Sequence, residues 1–98
     1  MPTLPIAPSL IKKLDLAVDD YSFDFTPALA AGDSIASSPT NPLVRSGDVV
    51  AVKRSLVGNV LAIRLSGGTV GVVSEVVLQA TSTNGESPAF SLMVQVVS

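Results

Sequence analysis

The stretch Leu65–Glu86, LSGGTVGVVSEVVLQATSTNGE, combines the two kinds of sequence that decide this fold, aliphatic runs and glycine-rich breaks. Its later part alternates, with Val76 and Leu78 on one parity and Glu75 and Gln79 on the other. A period of two is typical of a half-buried β-strand. The stretch therefore predicts one long strand that follows a reversal of the chain.

Three glycines before this strand, Gly67, Gly68 and Gly71, fit two interpretations. A glycine-rich loop can bind phosphate, but a P-loop has a lysine and a serine or threonine after its glycines, at the start of a helix. Here β-branched valines follow the glycines and no lysine does. Glycine also supplies the positive φ that tight turns require. We therefore expect a connection between two strands and no phosphate site.

The segment VDDYSFDF alternates in the same way nearer the N-terminus. Tyr21, Phe23 and Phe25 share one face, and Asp20 and Asp24 share the other. Because three of the four aromatic residues lie on one face, we expect this strand to form the centre of the core.

Two neighbouring segments, GDVVAVKR and NVLAIRLS, are predicted to pair as strands through a tight turn at Gly58-Asn59. In the first segment, Val50 and Val52 share one face, opposite Ala51 and Lys53. The second segment is expected to direct three aliphatic residues into the core: Leu61, Ile63 and Leu65.

The last predicted strand, PAFSLMVQVV, follows a hairpin turn at Asn84-Gly85, a pair that suits type I′ geometry with positive φ. Its inward residues are Phe90, Leu92, Val94 and Val96. Earlier in the chain, PALAAGD is expected to form one short helical turn and DSIASS a short strand.

The predicted fold class is all-β, an immunoglobulin-like β-sandwich of about seven short antiparallel strands. Short strands at roughly ten-residue spacing, with turn residues between them, are typical of a sandwich. No stretch shows a sustained apolar period of 3.6 residues. A jelly roll or small barrel is the alternative architecture.

Residues 1–14 are predicted to form an extended, proline-rich N-terminal arm, and residues 15–98 the sandwich domain. Prolines at positions 2, 5 and 8 favour an extended path. One interpretation is a disordered tail, since termini fray. The other is an arm that orders against a neighbour, because disordered tails are usually poor in Leu and Ile. The arm's apolar residues, the candidate protein-interaction site, are Leu4, Ile6, Leu10 and Ile11.

Composition excludes several function classes. The 98 residues are 47% hydrophobic and 14% charged, with net charge −2 and scattered basic residues. A soluble monomer usually carries about a quarter charged residues, so either the core is generous for the chain's size or part of the surface is apolar and buried by a partner. No basic patch favours nucleic acid, and no apolar run predicts a membrane span or a signal peptide. We expect the chain to be made and kept without secretion.

No catalytic, metal-binding or cofactor-binding residues are predicted. Histidine and cysteine are absent, so the commonest general base and metal ligand and any thiolate are missing. The carboxylates of Asp20 and Asp24 are interpreted as a solvated strand face. A carbohydrate-binding module is disfavoured because tryptophan is absent and the other aromatics are expected in the core.

Two segments carry a family resemblance. DDYSFDFTPALAAGDSIASSP, residues 19–39, resembles the opening of a group of small virion structural proteins from tailed bacteriophages. LSGGTVGVVSEVVLQATSTNGESPAFSLMVQV, residues 65–96, is similar to their close in order and spacing. Such proteins are commonly described as fibre–tail adaptors with an immunoglobulin-like sandwich.

The resemblance implies a non-enzymatic tail or neck adaptor that links fibres to the tail. The alternative that it leaves open is a capsid decoration protein that stabilises the head shell. In either case, the expected partners are other virion proteins and further copies of the chain, with no nucleic acid and no membrane. The expected location is the phage particle, after synthesis in the cytoplasm of the bacterial host. We also expect the arm to cross onto a neighbour and bury its apolar side chains there.

Overall fold

A computed structural model describes residues 3–5, 9–38 and 41–98. These residues form ten strands joined by turns and loops, and one short 3₁₀-helix at Thr26–Ala28. None of the described residues forms a helix long and apolar enough to cross a membrane. The strands are β1 (Thr3–Pro5), β2 (Ser9–Leu14), β3 (Asp19–Asp24), β4 (Ile35–Ser37), β5 (Leu43–Ser46), β6 (Val49–Val57), β7 (Val60–Gly67), β8 (Val73–Gln79), β9 (Thr81–Ser82) and β10 (Ala89–Val97).

Two four-stranded sheets and one small two-stranded sheet make up the architecture. The first sheet has the order β1-β3-β7-β6, and the second has the order β2-β10-β8-β5. Strands β4 and β9 pair with each other. The predicted all-β sandwich is confirmed. The order of strands in the two large sheets is compatible with the A-B-E-D and G-F-C arrangement of immunoglobulin domains.

The core lies between the two large sheets and is filled by alternate residues of their strands. Phe25 is fully buried, and its ring packs edge-to-face with Phe90 at a centroid distance of 5.9 Å. The inward sets predicted for β3, β7 and β10 are confirmed, with Tyr21 and Phe90 half-buried at the margin. The remaining core residues are Phe23, Val49, Ala51, Leu61, Ile63, Leu65, Val76, Leu78, Ala80, Leu92, Val94 and Val96.

The buried face of β6 could not be identified from its sequence pattern. Val49 and Ala51 lie in the core, whereas Val50 and Val52 point outward and are 53% and 40% exposed. The strand has valine on both parities, so the apolar pattern did not identify the inward face. Its pairing with β7 also contains a bulge between Lys53 and Ser55, which re-aims the side chains that follow.

Glycine conformations explain two of the predicted turns. Gly58 has φ of +58° in the two-residue connection between β6 and β7, which fits a II′ turn with glycine at the first central position. The predicted type I′ turn at Asn84-Gly85 is wrong, because among the described residues only glycines have positive φ. Gly85 has φ of +88°, and Ser82 N–H bonds to the Glu86 carbonyl across a three-residue loop. That geometry matches a type I turn followed by a left-handed glycine.

The described parts of the arm lie against both sheets of the same chain. Strand β1 pairs in parallel with β3, and β2 pairs in parallel with β10, with Ile11 opposite Val94. The other strand pairs of the described residues are antiparallel. Residues 15–18 carry the chain from β2 in one sheet to β3 in the other. We call this connection, together with Leu14 at the end of β2, the hinge.

Candidate interaction surfaces

Three of the four arm residues predicted to contact a neighbour lie in the described part of the chain. Leu4 lies in β1, opposite Phe23 of β3, and Ile6 lies outside the described residues. Leu10 is 61% exposed, whereas Ile11 is half-buried and packs against the core. Alternation along β2 therefore separates the last two, so that within this chain only Leu10 of that pair is available to a partner.

The outer surface of the second sheet, which we call the second-sheet face, is largely aliphatic. Its registers place Leu10 beside Met93 of β10, and Gln95 of β10 beside Val73 of β8. Its exposed apolar side chains come from all four strands, and this is more apolar surface than isolated exposed residues would give. They are Leu10, Leu14, Leu43, Val73 and Met93.

Polar groups cross the middle of the second-sheet face. Glu75 accepts a hydrogen bond from the Ser91 hydroxyl at 2.6 Å and an ion-pair contact from Arg45 at 3.4 Å. Exposed ion pairs contribute about 0–1 kcal/mol, so this one orients side chains more than it stabilises the fold. Lys12 also projects to solvent, beside Gln95 in the register.

A second aliphatic patch, the valine face, lies on the outer surface of β6. Val50, Val52 and Val57 are exposed there, and a bidentate ion pair between Arg64 and Asp20 lies on the same side of the sheet. The pairing with Arg64 lowers the pKa of the Asp20 carboxyl below its ordinary value. The sequence did not predict this patch, because the valines of β6 lie on both parities and do not show which face is inward.

The hinge between β2 and β3 exposes more aliphatic surface than a short connection usually does. Leu14, Leu16 and Val18 are 55%, 91% and 60% exposed. Two backbone hydrogen bonds shape this segment, from Asp15 N–H to the Val97 carbonyl and from Ala17 N–H to the Leu14 carbonyl. These side chains form an aliphatic stretch that faces solvent.

Lys13 of β2 is buried, although lysine is almost never buried without a partner. Its Nζ donates to the Gly67 carbonyl and to the Leu14 carbonyl, each at 2.8 Å. Gly67 ends β7 in the other sheet, so this side chain bridges the two sheets at the open end of the glycine loop. No sequence pattern indicated this role, since a lysine near the end of a chain is ordinarily solvent-exposed.

The glycine loop, residues 67–71, serves the fold. Its Thr69 and Gly71 amides donate to the Asp48 carboxylate and the Val96 carbonyl. At Gly68, where φ is +99°, an added Cβ would lie 2.6 Å from a methyl group of Val96. The predicted strand connection is confirmed, because the loop lies between the end of β7 and the start of β8. Its Thr69 and Gly71 amides bond to groups of the same chain.

Three aspartates are held by neighbouring hydroxyl or amide groups. The Thr69 hydroxyl lies 2.5 Å from Asp48 and lowers the pKa of that carboxyl, and Thr83 acts on Asp33 in the same way. Thr26 lowers the pKa of Asp24 through hydroxyl and amide hydrogen bonds. Across the described ranges, no group of three or more acidic residues could hold a metal ion, and no pocket is present.

The fold and surfaces define a class of protein, a small all-β module with aliphatic contact faces. A family model described as "Podophage GP4 fiber-tail adaptor protein gp77" matches residues 13–95. The chain belongs to this family, which makes it a virion structural protein of a tailed phage and confirms the resemblance predicted from sequence. The match begins at the end of β2 and leaves most of the arm outside it.

Other comparisons add little to this assignment. No curated protein matches the chain. A crystal structure of the cysteine protease inhibitor EhICP2 from Entamoeba histolytica is 10% identical, and the alignment covers 95% of this chain and 93% of that one. Its TM-score is 0.40, and a likeness at this level carries no argument about function.

Proposed function

We propose that this chain is a non-enzymatic adaptor that links fibres to the tail of a podophage particle. The observation that carries the proposal is the family match over residues 13–95, whose description names both fibre and tail. The partners are accordingly a fibre protein and a tail protein. The protein is made in the cytoplasm of the bacterial host and functions in the particle.

The surfaces support a role in assembly. An adaptor must contact two partners, and the sandwich has an aliphatic patch on each large sheet, at Val50 and Val52 on one side and at Leu43 and Val73 on the other. Protein interfaces are depleted in charged residues at their centres, and only 14% of this chain is charged. We assign one partner to each patch.

The absence of enzymatic activity is part of the proposal. The sequence has neither histidine nor cysteine, and carboxylates such as Asp33 and Asp48 bond to neighbouring threonine hydroxyls. Acid–base catalysis needs a group that is free to exchange a proton with substrate. These carboxylates instead organise turns.

The test is to interrupt the gene in a phage that encodes this chain and to examine the particles that form. The proposal predicts filled heads with tails that lack fibres, and recovery of fibre attachment when the purified chain is added. A variant with V50D and V52D should fail to restore the fibres or the tail contact while remaining folded. Its matched control, N84D/S87D, adds the same two negative charges on the exposed loop between β9 and β10, outside both patches.

Particles that retain their fibres without this chain would contradict the adaptor role. If such particles instead lost head stability, the result would favour the decoration function, for which neither the fold nor the family description gives specific support. The two outcomes are distinguishable by negative-stain microscopy of the same preparation.

A further inference from the structure

The arm is joined to the sandwich in a way that does not require it to pair within its own chain. Strand β2 adds to the edge of β10 in parallel across six residue pairs, from Ser9 to Leu14. Hairpin connections fix antiparallel partners such as β6 and β7, because a two-residue turn cannot reach another molecule. No such turn links β2 to β10, which are separated by most of the sequence.

The sandwich without the arm is nearly complete but has open edges. The family match covers residues 13–95, which contain three strands of each large sheet, β3-β7-β6 and β10-β8-β5. Without β2, the nine-residue strand β10 would present unpaired backbone groups, which readily bind another strand. The core would also lose the side chain of Ile11.

Side chains on β2 specify one register for whichever strand occupies this edge. Ile11 packs on the core, and Lys13 reaches across to the Gly67 carbonyl at 2.8 Å. A slip of one residue would exchange the inward and outward faces of the strand. It would remove Ile11 and Lys13 from the interior and bring in Leu10 and Lys12. An arm from a second copy would therefore dock in the same position.

The hinge indicates where that second copy would lie. Leu14, Leu16 and Val18 are exposed while the arm is folded back onto its own chain. When an arm is exchanged, its hinge extends between two molecules and becomes part of a new contact between them. Exchange of an identical element through a short connecting segment is a low-cost route to dimers.

We propose that the arm is exchanged between copies of this chain, so that β2 of one copy pairs with β10 of another. The occupant of the β10 edge is thus a second copy, and the hinge residues Leu14, Leu16 and Val18 are buried where the two copies meet. The exchange keeps every contact that Ile11 and Lys13 make. It also gives the predicted contact between the arm and a neighbour a defined site, and it does not depend on the adaptor role.

Disulfide trapping tests the exchange directly, because the natural chain has no cysteine. Leu10 and Met93 are paired in register and both side chains reach solvent, so a L10C/M93C variant places two thiols at bonding separation. The purified full-length variant is oxidised at high concentration and run on a denaturing gel without reductant. Exchange predicts covalent dimers or larger species that revert to monomers when reduced.

The matched control is V73C/Q95C, which joins β8 and β10 within the sandwich and should give intrachain disulfides only. A second reporter, K12C/Q95C, uses another register pair of the arm, with Lys12 exposed and Gln95 half-buried, and should reproduce the intermolecular bond. Equal melting temperatures of the reduced variants and the natural chain establish that all of them fold.

The decisive test mixes two single variants, L10C and M93C, made so that the two chains differ in size on the gel. Exchange predicts the mixed disulfide as the main product, above either homodimer. Intrachain disulfides alone in both double variants, with no mixed product, would overturn the proposal. Loss of fibre attachment would bear on the adaptor role and leave this result unchanged.

Discussion

At the residue scale, Gly68 and Gly47 mark two points where a connection touches the opposite strand without room for a side chain. An added Cβ at Gly47 would overlap Ser74, and one at Gly68 would overlap Val96. The sequence predicted that the glycine loop reverses the chain, since glycine-rich breaks between strands have that use. It did not predict these close approaches, which depend on strands far away in sequence.

Replacing Gly68 with alanine should destabilise the protein by about 2–4 kcal/mol, because overpacking adds to the strain of a positive φ. The matched control is G85A, where φ is also positive, at +88°, but no atom lies within 4 Å of the added Cβ. That variant should lose only about 1 kcal/mol. Urea unfolding of both measures the difference, and equal losses would contradict the packing that we describe.

The Asp48 carboxylate makes stability depend on pH at the acid end. Its pKa lies below the ordinary value of 3.8 because the Thr69 hydroxyl and amide bond to the ionised form. A lowered folded-state pKa gives stability that is present above the unfolded-state value and is lost as pH falls through the folded-state value. We expect the melting temperature to fall below about pH 4 and expect D48N to flatten that fall.

A T69V variant tests the assigned cause of this pH effect. It removes the hydroxyl donor and keeps the carboxylate, so it should flatten the same part of the profile. The double variant D48N/T69V should change little further. Additive effects of the two substitutions would show that Thr69 is not the group that lowers the pKa of Asp48.

At the element scale, strands with a clear alternation were predictable together with their inward faces. Strand β6 was predicted as a strand but its inward face was not, and β2 was not predicted as a strand. Phe23 and Leu92 lie where the period of two placed them, because one face of each strand is apolar and the other is not. Strand β6 has apolar residues on both parities, so burial is decided by its pairing with β7. Strand β2 has adjacent Leu10 and Ile11 and a buried lysine, a pattern that no local rule assigns to a sheet.

A pair of adjacent substitutions checks the orientation of β6. V49T places a hydroxyl in the core, where Val49 is 4% exposed, and should cost about 1–3 kcal/mol of the free energy of unfolding. V50T makes the same chemical change where the side chain is 53% exposed and should stay within about 0.5 kcal/mol of the natural chain. Thermal or urea unfolding compares them, and the reverse order would place Val50 inward.

At the scale of the whole molecule, composition and family resemblance supply different parts of the account. The sequence has few charged residues and neither histidine nor cysteine, and this composition did not identify a partner. Two sequence segments, residues 19–39 and residues 65–96, carried the family resemblance through their order along the chain. The family match over residues 13–95 confirmed that resemblance. The aliphatic surfaces and the buried Lys13 became visible only when distant strands were brought together.

The adaptor role is the central claim, and it is tested most directly by the position of this chain in the intact particle. A single-particle reconstruction of the phage, with the sandwich fitted into density, gives both location and copy number. We predict density between the tail and the fibre bases, in about six or twelve copies that follow the closed cyclic symmetry of a tail. Density spread over the head shell, with none at the fibre bases, would contradict the account.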